Sequence, residues 1–155
     1  MKKTLIAYFT RTGITKKLAE DTAKQTGADL FAIEPVKEYS SSYLICVGQA
    51  KLENLQNARP AIKAKPQNLQ DYDTIVVMFP IWWFTCPNII LTFLEENDLS
   101  GKTVIPVCTY GSSGKGSSEK AMAAVCKDAT FKPFIEATGL KDKAVAAIAA
   151  VIEEA

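Results

Sequence analysis

Near the start of the chain the sequence reads Tyr8-Phe9-Thr10-Arg11-Thr12-Gly13-Ile14-Thr15, and residues of these types can hold an anion. Three threonines surround one glycine where a short apolar run, 4–9, gives way to a helix-like stretch, 16–25. Gly13 lets the backbone approach a ligand closely. The N–H groups of a first helical turn have no partner inside the helix, and the helix dipole favours negative charge there. The hydroxyls of Thr10, Thr12 and Thr15 can donate further hydrogen bonds. The loop therefore reads as a phosphate cradle, with Ile14 and Thr15 contributing partly through backbone N–H groups. The plainer alternative is that Thr12 or Thr15 only caps a helix. Arg11 either aids the phosphate or simply faces solvent.

Two later stretches carry a second kind of chemistry. Pro80-Ile81-Trp82-Trp83-Phe84-Thr85-Cys86-Pro87 holds both tryptophans of the chain. One indole can serve the core, but two adjacent indoles in a turn are hard to bury together. A flat heteroaromatic ligand would use them, because offset ring stacking adds to area burial. Backbone groups of Ile81 and Trp82 could reach the edge of such a ring. The stretch Thr109-Tyr110-Gly111-Ser112-Ser113-Gly114 is small and polar and follows an apolar run. Gly111 and Gly114 permit close backbone approach, and Tyr110 offers another ring. Its alternative is an ordinary Gly/Ser turn.

Thr10-Arg11-Thr12-Gly13-Ile14-Thr15 resembles the T/S-x-T-G-x-T phosphate loop of flavodoxins, in the place where they carry it. Phe79-Pro80-Ile81-Trp82-Trp83 and Cys108-Thr109-Tyr110-Gly111-Ser112-Ser113-Gly114 resemble the two flavin-contacting loops of a short-chain flavodoxin subfamily. The likeness extends over nearly the whole chain. It implies an FMN-binding redox protein whose cofactor residues are Thr10, Arg11, Thr12, Gly13, Ile14, Thr15, Pro80, Ile81, Trp82, Trp83, Phe84, Thr109, Tyr110, Gly111 and Gly114. It departs from the family twice. Flavodoxins usually place a glycine in the second loop, where Trp82-Trp83-Phe84 stands here. They are also usually strongly acidic, whereas this chain has 18 basic and 17 acidic residues, a net charge of +1.

Composition removes other chemistries. There is no histidine, so no Ser-His-Asp triad or Cys-His pair can form, and a zinc site is not expected. Four cysteines, Cys46, Cys86, Cys108 and Cys126, are scattered without C-x-x-C spacing. No disulfide framework is indicated, and a reducing cytoplasm fits. Cys86, beside the second loop, is either a redox thiol or a buried inert one. Nothing in the charge suggests nucleic acid. No apolar run approaches the roughly 20 residues that span a membrane, and the N-terminal segment does not read as a secretory signal. Ser100-Gly101-Lys102-Thr103 lacks the upstream glycine of a phosphate-binding G-x-x-x-x-G-K-T loop.

The elements that must position these loops alternate. Strands are expected at 3–9, 29–34, 73–79, 102–109 and 131–138, the last carrying Pro133, which suggests an edge or a bulge. Helices are expected at 15–25, 40–57, 88–96, 117–127 and 142–153. Inward faces are assigned to Leu18, Ala19, Thr22 and Ala23; to Tyr43, Val47 and Ala50; to Ala121, Ala124 and Val125; and to Val145, Ile148, Ala149 and Ile152. The alternation implies α/β architecture in one domain of 155 residues, with a parallel sheet covered on both faces. The sequence leaves strand order open; the flavodoxin resemblance implies a doubly wound five-stranded sheet in the order 2-1-3-4-5, with ligands at the strands' carboxyl ends.

The expected role is electron transfer through non-covalently bound FMN. The alternative is a small FMN-dependent NAD(P)H:quinone-type oxidoreductase. Expected partners are a redox protein or a small-molecule electron acceptor, with no nucleic acid and no membrane, and the chain is expected to be a monomer or weak homodimer. A flavin-free interaction module with an exposed tryptophan patch is the rival from another class.

Overall fold

The computed structural model describes residues 3–109, 114–137 and 141–155. The strands are β1 (Thr4–Tyr8), β2 (Asp29–Ala32), β3 (Thr74–Pro80), β4 (Thr103–Thr109), β5 (Thr130–Phe131) and β6 (Ile135–Ala137). The helices are α1 (Ile14–Thr26), α2 (Tyr43–Gln56), α3 (Asn88–Glu96), α4 (Ser118–Val125) and α5 (Lys141–Glu154). All strand pairs are parallel, in the order β2-β1-β3-β4-β5, with β6 also on β4. This is the doubly wound, flavodoxin-like order expected from the loops.

Alternation along the strands explains the two-sided core. Leu5, Ala7, Ile75, Val77 and Phe79 face one layer together with Ile89, Phe93 and Met122 of α3 and α4. Ile6, Tyr8, Val76 and Met78 face the other, with Leu18 and Ala19 of α1 and Ile148 of α5. A strand buried on both faces needs apolar residues at every position, and 75–79 supplies them. Helix α1 ends at Gly27, whose N–H returns to the Ala23 carbonyl at 2.8 Å.

Three details differ from the sequence reading. The strand expected at 131–138 is two short pieces, because Pro133 cannot donate to the ladder and β4 regains a partner only at Ile135. Helix α2 buries Cys46 and Ala50 and leaves Tyr43 at 70% exposure. It is pinned there by the Asn88 amide, which donates to the carbonyls of Glu53 (3.0 Å) and Ala58 (2.8 Å). Helix α4 buries Ser118 and Met122, one turn apart, while Ala121 and Val125 are half-buried and Ala124 is exposed. The unbranched Met122 reaches the core from a helix that carries few large side chains.

Candidate functional site

Strands β1, β3 and β4 lie side by side, and the register sets Tyr8 beside Met78 and Pro80 beside Thr109. The three loops expected to carry chemistry therefore open from one edge of the sheet. Within the first, Gly13 has φ +96° and its N–H donates to the Thr10 hydroxyl at 3.0 Å. That positive φ turns the chain sharply into α1, whose first turn has no side-chain cap and no acidic residue. The cradle thus presents a helix N-terminus with no carboxylate of its own to compete for its N–H groups. Thr12 and Ile14 are exposed, and Thr10 is half-buried.

Thr15 is buried, and its hydroxyl lies 3.0 Å from that of Thr109 at the end of β4. Arg11 does not swing freely into solvent. Its guanidinium donates to the Ser41 carbonyl at 3.1 Å and stands over the Tyr43 ring, 5.9 Å from its centroid. Its Nε is buried without a partner among the described residues. A buried guanidinium N–H with nothing to bond suits an anion at this loop. Beside the loop, a cleft of about 350 Å³ runs between Phe9, Arg11, Lys16, Glu34, Tyr39 and the Lys63–Glu38 ion pair.

The second loop separates the two indoles. Trp82 turns inward and meets Phe9 and Tyr39 edge-on, with centroids 5.4 and 5.0 Å away. Trp83 turns outward, donates its indole N–H to the Val47 carbonyl of α2 at 3.0 Å, and receives Lys51 over its ring at 4.9 Å. The cause is a tight turn from Trp82 to Thr85, closed by hydrogen bonds of 2.9 and 3.2 Å. Its two central residues, Trp83 and Phe84, have φ +51° and +63°. The N–H groups of Ile81 and Trp82 are already used inside the chain, by the carbonyls of Thr109 (3.0 Å) and Thr85 (2.9 Å). Both side chains pack against the core, and those two donors are committed to the fold.

The third loop is described only in part. Tyr110 and Gly111 lie outside the described residues. Gly114 is present at φ +69°, and the next N–H, of Lys115, donates to the Glu136 carboxylate at 2.9 Å. Gly116 passes under the second loop so closely that a Cβ there would sit 1.8 Å from the Phe84 carbonyl oxygen. That oxygen accepts the Ser117 N–H at 2.9 Å.

Phe9 and Tyr39 belong to the site and the sequence reading missed them. Phe9, one residue before the loop, could have been found from its place at a strand end. Tyr39 carries no local signal. Its hydroxyl donates to Glu53 at 2.5 Å, and burial, this bond and the Glu53 charge push its ionisation far above the ordinary range. Burial likewise raises the Glu53 carboxyl. Cys86 is fully enclosed; burial pushes its thiol up to about 12, so it is no thiolate near neutrality.

Comparison with known proteins agrees with this geometry. The family model described as Flavodoxin matches residues 3–149. A search of curated proteins found no match. A protein from Bacteroides eggerthii DSM 20697, provisionally described as a flavoprotein, is 35% identical over 99% of both chains, with a TM-score of 0.87. One from Bacteroides uniformis ATCC 8492, described in the same way, is 34% identical over 95% of this chain and 97% of its own, with a TM-score of 0.85. A flavoprotein from Lactobacillus acidophilus NCFM, solved in complex with FMN, shares the fold at 19% identity, with a TM-score of 0.77 over 88% of this chain and 93% of its own. No helix among the described residues is long and apolar enough to cross a membrane. With the strand order, the three loops on one edge and a family match over nearly its full length, the chain belongs to the flavodoxin family.

Proposed function

We propose that this edge binds FMN non-covalently and that the protein transfers electrons through it. The observation that carries the reading is the uncapped N-terminus of α1, free of acidic residues and flanked by the unpartnered Nε of Arg11. Thr10, Thr12, Gly13, Ile14 and Thr15 would hold the phosphate. Pro80, Ile81, Trp82, Trp83, Phe84, Thr109, Tyr110, Gly111 and Gly114 would border the ring. FMN, when bound, supplies the one- and two-electron chemistry that a chain without histidine does not supply itself.

The chain's own residues shape that chemistry. The Phe9–Tyr39–Trp82 cluster keeps water from the inner wall of the site. Ile81, Trp82 and Phe84 keep their loop fixed through backbone bonds to Thr109, Thr85 and Ser117. The partner is a redox protein or a small-molecule acceptor. The net charge of +1 favours the second reading, an FMN-dependent reductase of quinone-type acceptors, because a balanced surface steers a charged partner weakly.

Reconstitution tests the proposal. Protein freed of cofactor and incubated with FMN should retain one flavin per chain through gel filtration. Mixing the loaded protein with NADH or NADPH and a benzoquinone then separates the roles. Slow turnover fits a carrier and sustained turnover fits a reductase, while failure to retain flavin would remove both.

A further inference from the structure

We propose that the outer face of α2, together with Trp83 and Phe84, joins two copies of this chain in a symmetric dimer. Leu44, Ile45, Leu52, Leu55, Trp83 and Phe84 are between 41% and 79% exposed. They are not scattered. Leu44, Gly48, Leu52 and Leu55 recur at helical spacing on one side of α2, opposite the buried Cys46 and Ala50. Ile45 flanks them, and the bond from Trp83 to Val47 fixes the second loop against the same helix. At ordinary side-chain areas these six residues expose on the order of 800 Å² per copy, the share a standard interface takes from each partner. Patches of this size on a single chain mark interaction surfaces.

The partner is a second copy because the face complements itself. Gly48 stands at its middle with nothing within 4 Å of where a Cβ would be. Inside one chain this glycine only weakens the helix, by roughly 1 kcal/mol against alanine. Between two helices it lets the backbones approach. An antiparallel crossing at Gly48 sets Leu44 of each copy against Leu52 of the other, and it opposes the two helix dipoles. Among the described residues of α2, Lys51 is the charge on this side, and its ammonium is drawn aside over the Trp83 ring; Arg11 stands at the margin, over the Tyr43 ring. A redox partner recognised by charge finds little here to pair with, whereas a second copy of this largely apolar face matches it.

Sedimentation equilibrium of the full chain over micromolar to millimolar concentration tests this. The expected result is a reversible rise from 16.9 kDa to twice that mass. The Leu44→Glu/Leu52→Glu variant should stay at one chain's mass across the range and, at a dilution where the wild type is also monomeric, should unfold at the wild-type temperature, since both side chains are exposed. Orientation has its own readout. Mixed Leu44→Cys and Leu52→Cys proteins should cross-link under diamide while neither alone does, and the four native cysteines, all buried, stay silent. A wild-type chain that remains monomeric throughout overturns the proposal. So does a dimer that survives the double substitution, or one whose Leu52→Cys protein cross-links to itself.

Discussion

The hydroxyls of Thr15 and Thr109, 94 positions apart in sequence, meet at 3.0 Å beneath the candidate phosphate loop. Both residues are buried, so this bond ties the first turn of α1 to the end of β4 in a place water does not reach. If Thr109 donates, the Thr15 proton is free to point at an anion. The backbone repeats the tie one strand away, where the Ile81 N–H donates to the Thr109 carbonyl. One residue of β4 thus holds two of the three loops.

Thr109→Val is expected to destabilise the fold by about 1–2 kcal/mol, because the Thr15 hydroxyl loses its buried partner. FMN affinity should fall by about tenfold, the value of one well-oriented hydrogen bond. Thr109→Ser keeps the hydroxyl and should recover most of both. Urea unfolding and fluorescence titration read the two effects separately. Wild-type FMN affinity in the valine variant would show that the bond serves the fold alone.

Two glycines with positive φ should respond differently to alanine. Gly13 has open space where a Cβ would go, so Gly13→Ala meets only backbone strain, about 1–2 kcal/mol. At Gly116 the Cβ would collide with the Phe84 carbonyl, a backbone atom that cannot rotate away. Gly116→Ala should cost about 3 kcal/mol or more by chemical denaturation, and it should raise the fluorescence sensitivity of Trp83 to quenchers as the second loop lifts. Equal costs at the two positions would contradict this packing.

Phe84 holds φ +63° without being glycine, and its side chain is mostly exposed. Phe84→Gly removes strain of about 1–2 kcal/mol and adds unfolded-state entropy of about 0.5–1 kcal/mol, so a small net gain in stability is expected. A loss above 1 kcal/mol in thermal or urea unfolding would mean that the Phe84 ring contributes packing not visible in its exposure.

The thiols give a pH signature. Burial pushes Cys86 and Cys108 up to about 12, from an ordinary thiol near 9. The unfolded chain therefore loses these protons before the folded chain does. Their contribution to stability is complete below pH 9 and declines as pH rises from about 9 to about 12. At pH 8 the native protein should not react with a thiol reagent at any of the four buried cysteines, and the unfolded protein should react at all four. Rapid native labelling of Cys86 would contradict its burial.

The physics of the fold explains which parts were legible in the sequence. The run 75–79 is apolar at every position, and a strand covered on both faces has no other way to read. Gly13 and Gly27 mark the ends of α1 because a positive φ is needed at both. The inward face expected for α2 holds at Ala50 and in part at Val47 but fails at Tyr43, because Leu44, Ile45, Leu52 and Leu55 place apolar groups where a periodic pattern expects polar ones. Cys46, also small, joins Ala50 in the core. The two tryptophans are expected either to meet a ligand together or to lend one indole to the core. They part because Trp83 takes a left-handed conformation for which no glycine gives warning. Tyr39 joins Phe9 and Trp82 only through tertiary packing, so no local pattern announces it.

Titration of cofactor-free protein with FMN and, separately, riboflavin tests the central reading most directly, with flavin and tryptophan fluorescence as the signals. FMN should bind tightly and lose its fluorescence, while riboflavin, which lacks the phosphate, should bind at least about a hundredfold more weakly, a difference near 3 kcal/mol. Equal affinity for the two would contradict the phosphate loop at Thr10–Thr15, and binding of neither would contradict the flavin site as a whole.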